Sequence, residues 1–423
     1  MTNRRSNKSS LASSNTILYL MLLLFLVSSI TFFQSINNSN NNNNTHNTRN
    51  KSLQLRHNKM NNNNNNNDNK ENNNIVIKSN NNVSISNNRK RIAYAITITK
   101  DGSFQDGAAV LAYTILSHSK SSLIYDISLI AFVHPMVSNN SRKLLSNLGY
   151  HVIESVVPIN SSAIKFKWFR EHIDKNGCCG SSELIKLNSY RLLDYYRVVH
   201  LDADVILLNQ IEELFNLNYS LIYTTDPNMA SHKGEDKLPV QGGFIIIQPN
   251  LNDYYNLINL IMTVEFRSGS AWNGTKIGWF WGGMTVQGIL PYYYNLVTEP
   301  NRSYKVNRCI YNTMVDVPEC KVQLINELKS AHFTVCQKPW GCFKYYDSPL
   351  CGTLHEEWFK LRKLTEEYYS MDIENNPCPQ SGHKHYKTMN INNAIKRNES
   401  YVQVDNNPNI LYPIGNHGYD VYN

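Results

Sequence analysis

Apolar positions along this chain of 423 residues fall into three regimes of spacing. Residues 16–33, TILYLMLLLFLVSSITFF, are an unbroken apolar run without a charge, whereas residues 36–90 are dominated by asparagine and hold almost no large apolar side chain. From Arg91 onward, over about 330 residues, short apolar runs alternate with stretches of helical spacing. RIAYAITI (91–98) is β-branched and predicts a strand ending in TKDG. Asp106 is placed to cap the next helix, whose Val110, Leu111, Thr114 and Ile115 share one face. DISLIAFV (126–133) predicts a second buried strand, SRKLLSNLG a short helix and HVIESVVPI a third strand. SSELIKLNSYRLLDYY reads as a capped helix feeding the strand RVVHL, and the runs SLIYTTD (220–226) and GGFIIIQPN (242–250) follow. Strands alternating with helices predict an α/β domain over 91–371, with a mostly parallel sheet and helices on both faces. Ligands of such sheets bind beyond the carboxyl ends of the strands. LHEEWFKLRKLTEEYYS predicts a helix on the domain's edge, and residues 372–423 read as a poorly structured tail. No internal repeat is visible.

The first two regimes bear on location. As a helix, residues 16–33 would rise roughly 27 Å, close to the hydrocarbon thickness of a thin bilayer. Arg4, Arg5 and Lys8 precede the run, which keeps residues 1–15 in the cytosol and sends the rest into a lumen. This predicts a single-span type II anchor of the Golgi or another secretory membrane; a signal peptide cleaved near Val27 to Ser29 is the rival reading. The asparagine-rich segment, 34–90, cannot bury enough surface to offset its ordering entropy and is read as a disordered stalk, with aggregation-prone asparagine tracts as the other compositional reading. Asn82, Asn139, Asn160, Asn218, Asn273, Asn301 and Asn398 each open a glycosylation sequon, in keeping with a luminal body. All eight cysteines lie beyond residue 170, and in an oxidising compartment an even set reads as disulfides. The net charge of +8 forms no basic stripe, and no nucleic-acid motif is present.

Chemistry concentrates at VVHLDADVILL. Two carboxylates one residue apart at the end of a buried run need a cation or a hydrogen-bond network. Asp202 and Asp204 can chelate one divalent cation, which in turn bridges a diphosphate. A D-x-D alone is weak, since loops often cap backbone amides with such aspartates. The surrounding ELIKLNSYRLLDYY and VVHLDADVILLNQIEELF say more. They closely resemble glycosyltransferase family 8, the glycogenin-like group of retaining, manganese-dependent sugar-nucleotide transferases.

The resemblance covers most of residues 91–345 and implies a GT-A fold, the Rossmann-like fold of nucleotide-diphospho-sugar transferases. AITITKDGSFQDGAAVLAYTIL is similar to the family's opening strand, nucleotide loop and first helix, which implies Thr99 and Asp101 beside the nucleotide and Phe104 near its base. Lys186 matches a family lysine near the donor's phosphates or sugar, and Asp226 in TTDP a family Asp-Pro beside the donor sugar. SAHFTVCQKPWGC matches the motif H-F-x-G-x-x-K-P-W. That implies His332 as third ligand of a Mn²⁺ ion held by Asp202 and Asp204, and Lys338 on the diphosphate of a UDP-sugar. CQKPW is also similar to a plant branch that glucuronidates inositol phosphorylceramide, so the implied acceptor is a glycan, a glycolipid or a protein.

Two positions depart from the family. Gln241 to Gly243 stand where relatives carry Asn-Ser-Gly, and Gln241 can still bond a sugar hydroxyl. Val286 stands where relatives carry the aspartate of Asp-Gln-Gly, with Gln287 retained. Without a carboxylate at 286, front-face transfer fits better than a covalent intermediate, and a luminal protein that binds a UDP-sugar or glycan without transferring it is the second reading. A haloacid-dehalogenase-type phosphatase, whose D-x-D-x-[TV] DADV satisfies, is the third; it needs the pair after its first strand. Cys336, Cys342, Cys351 and His355 have spacings a zinc site could use, disulfides being the preferred reading. Cys178 and Cys179 are expected to pair elsewhere in the chain. GWFWGGM (278–284) is either core or an acceptor platform, and GHKHY near His383 reads as solvated tail.

Overall fold

The computed structural model describes residues 89–394, apart from 103, 120, 121, 123, 231–233, 235, 236, 345 and 347. The expected anchor and residues 34–88 of the expected stalk therefore lie outside the described residues, as do Asn82 and Asn398, while Arg89 pairs with Asp126 and Lys90 begins the first strand. Among the described residues no helix is long and apolar enough to cross a membrane.

The strands are β1 (Lys90–Ile98), β2 (Tyr125–Val133), β3 (Tyr150–Glu154), β4 (Arg197–Leu201), β5 (Val205–Leu207), β6 (Leu221–Thr225), β7 (Val240–Ile247), β8 (Phe266–Arg267), β9 (Ala271–Trp272), β10 (Ser303–Lys305) and β11 (Ser330–His332). Seven form the central sheet, in the order β10-β6-β7-β4-β1-β2-β3. β1 pairs in parallel with β2 and β4, β2 with β3, and β10 with β6. Only β7 runs against its neighbours β4 and β6. The sheet is thus mixed but mostly parallel, the arrangement expected of a GT-A fold.

Its strands are buried on both faces, so they read as continuous apolar runs rather than alternating ones. Ile92, Tyr94 and Ile96 face one core with Phe244 and Ile246, while Ala93 and Ala95 face the opposite side with Val198. The first face is covered by α1 (Phe104–Ser119), α2 (Asn139–Asn147) and α8 (Pro349–Tyr368). The short α3 (Lys167–His172), α4 (Leu251–Thr263) and α5 (Val286–Tyr292) cover the second core, around Ile245 and Ile247. Two short helices, α6 (Arg308–Tyr311) and α7 (Pro318–Lys321), are joined by the Cys309–Cys320 disulfide.

Four expectations differ from what is observed. The capped helix read from SSELIKLNSYRLLDYY is a 3₁₀ segment, Gly180–Arg191, buried along Leu184 to Arg191. Its buried residues include Lys186, Asn188, Ser189 and Arg191, and side-chain bonds from Lys186 to Gly242 O (3.1 Å) and between Ser189 and His200 (2.8 Å) tie it to the sheet, so tertiary ties override the local helical spacing. Asp106 does not cap α1; it lies buried in the first turn and accepts hydrogen bonds from Tyr386 Oη (2.6 Å) and Met389 N (2.9 Å). Those donors belong to the stretch expected to be a loose tail: residues 372–394 pack on the domain, bury Met389 and Ile391, and are tied through Cys378 to Cys342. Finally, α8 is not an edge helix. Leu354 and Trp358 are buried with α1 in the main core.

Candidate active site

Backbone pairing assembles the site before any side chain is considered. β4 ends at Leu201, and Asp202 N–H donates to Gly243 O (3.2 Å) across the junction with β7. One residue beyond Asp204 the chain enters β5, which pairs antiparallel with β11 so that Val205 lies opposite His332. Phe333 N–H donates to Asp204 O (3.0 Å). A long sequence separation is thus closed by three residue pairs. On the other flank, Gly107 lets α1 approach the aspartate loop: a Cβ there would meet Ala203 O at 2.3 Å and the Trp340 ring at 2.8 Å.

His332 Nε2 lies 3.3 Å from Asp204 Oδ1 and 3.8 Å from Asp202 Oδ2. One donor atom from each of these three residues lies within 4.8 Å of the others. His332 Nδ1 is buried without a hydrogen-bond partner, an uncommon state for a polar atom. Burial lowers the pKa of His332, partly offset by Asp202, so the ring is neutral at neutral pH and keeps a lone pair. Gly243 leaves the floor open, since a Cβ there would sit 2.4 Å from His332 Cε1 and 2.9 Å from Asp202 Oδ2. Two carboxylates and a neutral imidazole suit a divalent cation.

Two lysines flank this cage. Lys186 Nζ bonds Asp202 Oδ1 (2.8 Å), Glu183 Oε2 (2.8 Å) and Gly242 O (3.1 Å). Burial alone would lower its pKa, but the carboxylates of Asp202 and Glu183 outweigh it and the shift is upward. Burial likewise opposes the charge on Asp202, while Lys186 and then His332 hold its pKa below the usual carboxylate range. Lys338 pairs with Asp204 Oδ2, and burial lowers its pKa.

The other expected residues divide. Gln287 and Val286 border Gly242, a Cβ there lying 3.5 Å from Gln287 Cγ, 3.5 Å from Val286 Cγ2 and 3.4 Å from Lys186 Nζ. Phe104 is partly exposed and packs edge-to-face on Trp340, with centroids 6.1 Å apart. Thr99 is half-buried just past β1, while Asp101 is exposed and accepts from Ser138 N (3.2 Å) and Ser138 Oγ (3.1 Å) at the cap of α2. Gln241 turns inward: its Oε1 accepts from Gly243 N (2.6 Å) and Asn312 Nδ2 (3.4 Å). Asp226 is buried, burial raises its pKa, and Arg308 approaches to 3.9 Å. Sequence reasoning missed Glu183, which holds Lys186, and Arg308 and Asp316 near Asp226; Arg308 pairs with Asp316 and donates to Thr225 O (2.8 Å). Glu183 alone left a signal, its spacing of three from Lys186.

The zinc reading fails. Cys336–Cys351 and Cys342–Cys378 are disulfides, and His355 Nε2 bonds Cys336 O (2.8 Å) while Nδ1 faces Tyr346 Oη (3.2 Å). Cys178 and Cys179 pair with no other cysteine. In 278–284, Trp279 lies against Trp168, whereas Trp281 is 62% exposed.

No family model matches the chain. It is 25% identical to human glycogenin-2 over 264 residues, 62% of this chain and 46% of that protein. Over 299 residues it is 22% identical to an Arabidopsis thaliana protein described as a putative UDP-glucuronate:xylan alpha-glucuronosyltransferase 4, with 66% and 44% covered. The chain is similar to the glycogenin-like glycosyltransferases. It spans about half the length of these two relatives. Among solved structures, the glycosyltransferase GlyE of Streptococcus pneumoniae aligns with 15% identity and a TM-score of 0.39, covering 67% of this chain and 64% of GlyE. The galactosyltransferase LgtC, with donor and acceptor sugar analogs, aligns with 11% identity and a TM-score of 0.36, covering 64% and 94–95% of the two chains. Val286 is the position at which the sequence resemblance implied an aspartate. It is fully buried at the start of α5 among apolar neighbours.

Proposed function

We propose that the chain transfers a glycosyl unit from a UDP-sugar, with retention, to a glycan, glycolipid or protein acceptor in the secretory pathway. The observation that carries this reading is the convergence of Asp202, Asp204 and His332 Nε2 between two lysines. A divalent cation held there, Mn²⁺ in this reading, supplies neutralisation of a diphosphate's charge. Lys338, at the rim of the cage, adds a positive charge toward the leaving UDP. Lys186 fixes the Asp202 carboxylate. Asp226 and Gln287 offer polar contacts for the donor sugar, and Gln241 shapes the β7 backbone through Gly243 rather than reaching out. Thr99, Asp101 and Phe104 are assigned to the nucleotide side. Since residue 286 is valine, transfer proceeds on one face of the sugar without a carboxylate nucleophile at that position.

The setting is supported by three disulfides and by exposed sequon asparagines at 139, 160, 218, 273 and 301. The proposed Golgi membrane attachment rests on the apolar run at 16–33. A phosphatase gains nothing, because the aspartate pair follows the fourth strand in the chain. Val286 favours one second reading, a luminal protein that binds UDP-sugar without turnover.

Incubation with Mn²⁺ and a panel of UDP-sugars, with and without glycolipid acceptors, tests the reading. Release of UDP on at least one donor, reduced by roughly a hundredfold or more in Asp204→Ala, is expected. Tight Mn²⁺-dependent UDP binding with no turnover on any donor would establish the second reading instead, and no such binding would overturn both.

A further inference from the structure

Six of the eight cysteines are joined in three disulfides, so the environment in which this chain folds supplies oxidising equivalents to its thiols. The remaining two are neighbours in sequence and in space. Cys178 is exposed, Cys179 is partly exposed, and their sulfurs lie 3.0 Å apart. Glycines bracket the pair at positive φ, Gly177 at 75° and Gly180 at 57°, values that let a tight turn form. The turn is wedged in place: a Cβ on Gly180 would meet Asp174 O at 2.2 Å, and one on Gly177 would lie 3.1 Å from Gly282 Cα.

The pair is wired to the cage. Cys178 Sγ–H donates to Glu183 Oε1 (3.4 Å), the other oxygen of Glu183 holds Lys186 (2.8 Å), and Lys186 holds Asp202 (2.8 Å). We infer that Cys178 and Cys179 form a redox modification site, closing to a vicinal disulfide that alters how Lys186 is shared between Glu183 and Asp202. The closure itself stands apart from the transferase reading; its coupling to the cage rests on that reading.

Closure proceeds by exchange with a low-molecular-weight disulfide. The thiolate of one cysteine attacks the reagent's S–S bond, forming a mixed disulfide and expelling one reagent thiolate. The thiolate of its neighbour then attacks the cysteine sulfur of that mixed disulfide, forming the Cys178–Cys179 bond and expelling the second reagent thiolate. Both cysteine sulfurs are oxidised, the reagent is reduced to two thiols, and these take up the two cysteine protons. Glu183 thereby loses the S–H that bonded Oε1. Its carboxylate draws more strongly on Lys186, and Asp202 is released toward the cation.

The test uses the folded full chain, treated with oxidised glutathione and then alkylated without denaturation. Two alkylated thiols before oxidation and none after are expected, with the peptide carrying both cysteines lighter by about 2 Da and free of a glutathione adduct. By calorimetry, Mn²⁺-dependent UDP affinity should tighten by about two- to tenfold on oxidation and return on mild reduction. Cys178→Ser should not respond, and Glu183→Gln should close the ring without the affinity change. Persisting alkylation or a stable glutathione adduct overturns the site, and closure without change in affinity overturns the coupling. A protein that closes the ring yet binds no UDP refutes the transferase reading alone; the coupling is then read through Mn²⁺ binding by itself, on the same two outcomes.

Discussion

A methyl group at position 243 would lie 2.4 Å from one ring carbon of His332 and 2.9 Å from an Asp202 oxygen. Neither can retreat easily, because both are held from behind, Asp202 by Lys186 and His332 by the β5–β11 pairing. Gly243→Ala should therefore weaken Mn²⁺-dependent UDP binding by about tenfold or more, since sites lose function once their ligands move by about half an ångström. Gly352→Ala in α8, where a Cβ would make only ordinary contact at 3.4 Å with Tyr346, is the control and should leave binding unchanged. Calorimetry on the two variants reads the difference, and equal affinities would show that the cage tolerates a wider floor. The two aspartates were legible in the sequence because buried carboxylates so spaced need a partner. Gly243 was legible only as part of a departure from the family's motif. The reason it is glycine lies in a contact with a histidine nearly ninety residues away, roughly the distance only a folded sheet closes.

Elements carry the site by register. His332 reaches the aspartates because β11 lies beside β5, and Lys338 follows on a loop that leaves β11 and is anchored to α8 by Cys336–Cys351. That disulfide closes a loop of sequence separation 15, a size for which cross-linking stabilises by about 3 kcal/mol. The double variant Cys336→Ser/Cys351→Ser should lose stability of that order in urea. It should also lose UDP affinity several-fold more than Mn²⁺ affinity, because Lys338 is loosened while His332 stays in the strand. Equal losses of the two affinities would mean that the loop and the strand move as one body. Strands β1 to β4, β6 and β7 and the D-x-D position were readable from apolar runs, whereas the order of the sheet and the 3₁₀ segment carrying Lys186 were not. The segment's spacing reads as an α-helix, but Leu184 to Arg191 are all buried, and bonds from Lys186 and Ser189 into the sheet override the local spacing.

At the scale of the whole molecule, the least legible feature is the return of residues 372–394 across the domain. Composition marked them as tail, yet Cys378 joins Cys342, Arg362 donates to Lys387 O (3.0 Å), and Tyr386 and Met389 converge on one oxygen of Asp106. Few apolar residues take part, so polar and covalent ties hold the segment, and these leave no periodic trace. Asp106 makes the arrangement testable by pH. Burial raises its pKa despite the hydrogen bonds from Tyr386 and Met389, so the folded state binds that proton more tightly than the unfolded chain. A carboxyl raised in this way contributes stability at pH below its unfolded value, and that contribution is lost as pH rises through the folded pKa. Asp106→Asn keeps an acceptor for both donors without a charge to desolvate, and should match or exceed the parent's melting temperature at pH 7 to 8. The advantage should shrink as pH falls toward and below ~4, where the carboxyl of the unfolded chain becomes protonated as well. Asp106→Ala strands both donors, at a cost of about 1–3 kcal/mol at every pH. Melting curves of the three proteins across that range decide the matter: a parallel offset of Asp106→Asn at all pH values would mean that the segment is held without regard to the charge on residue 106.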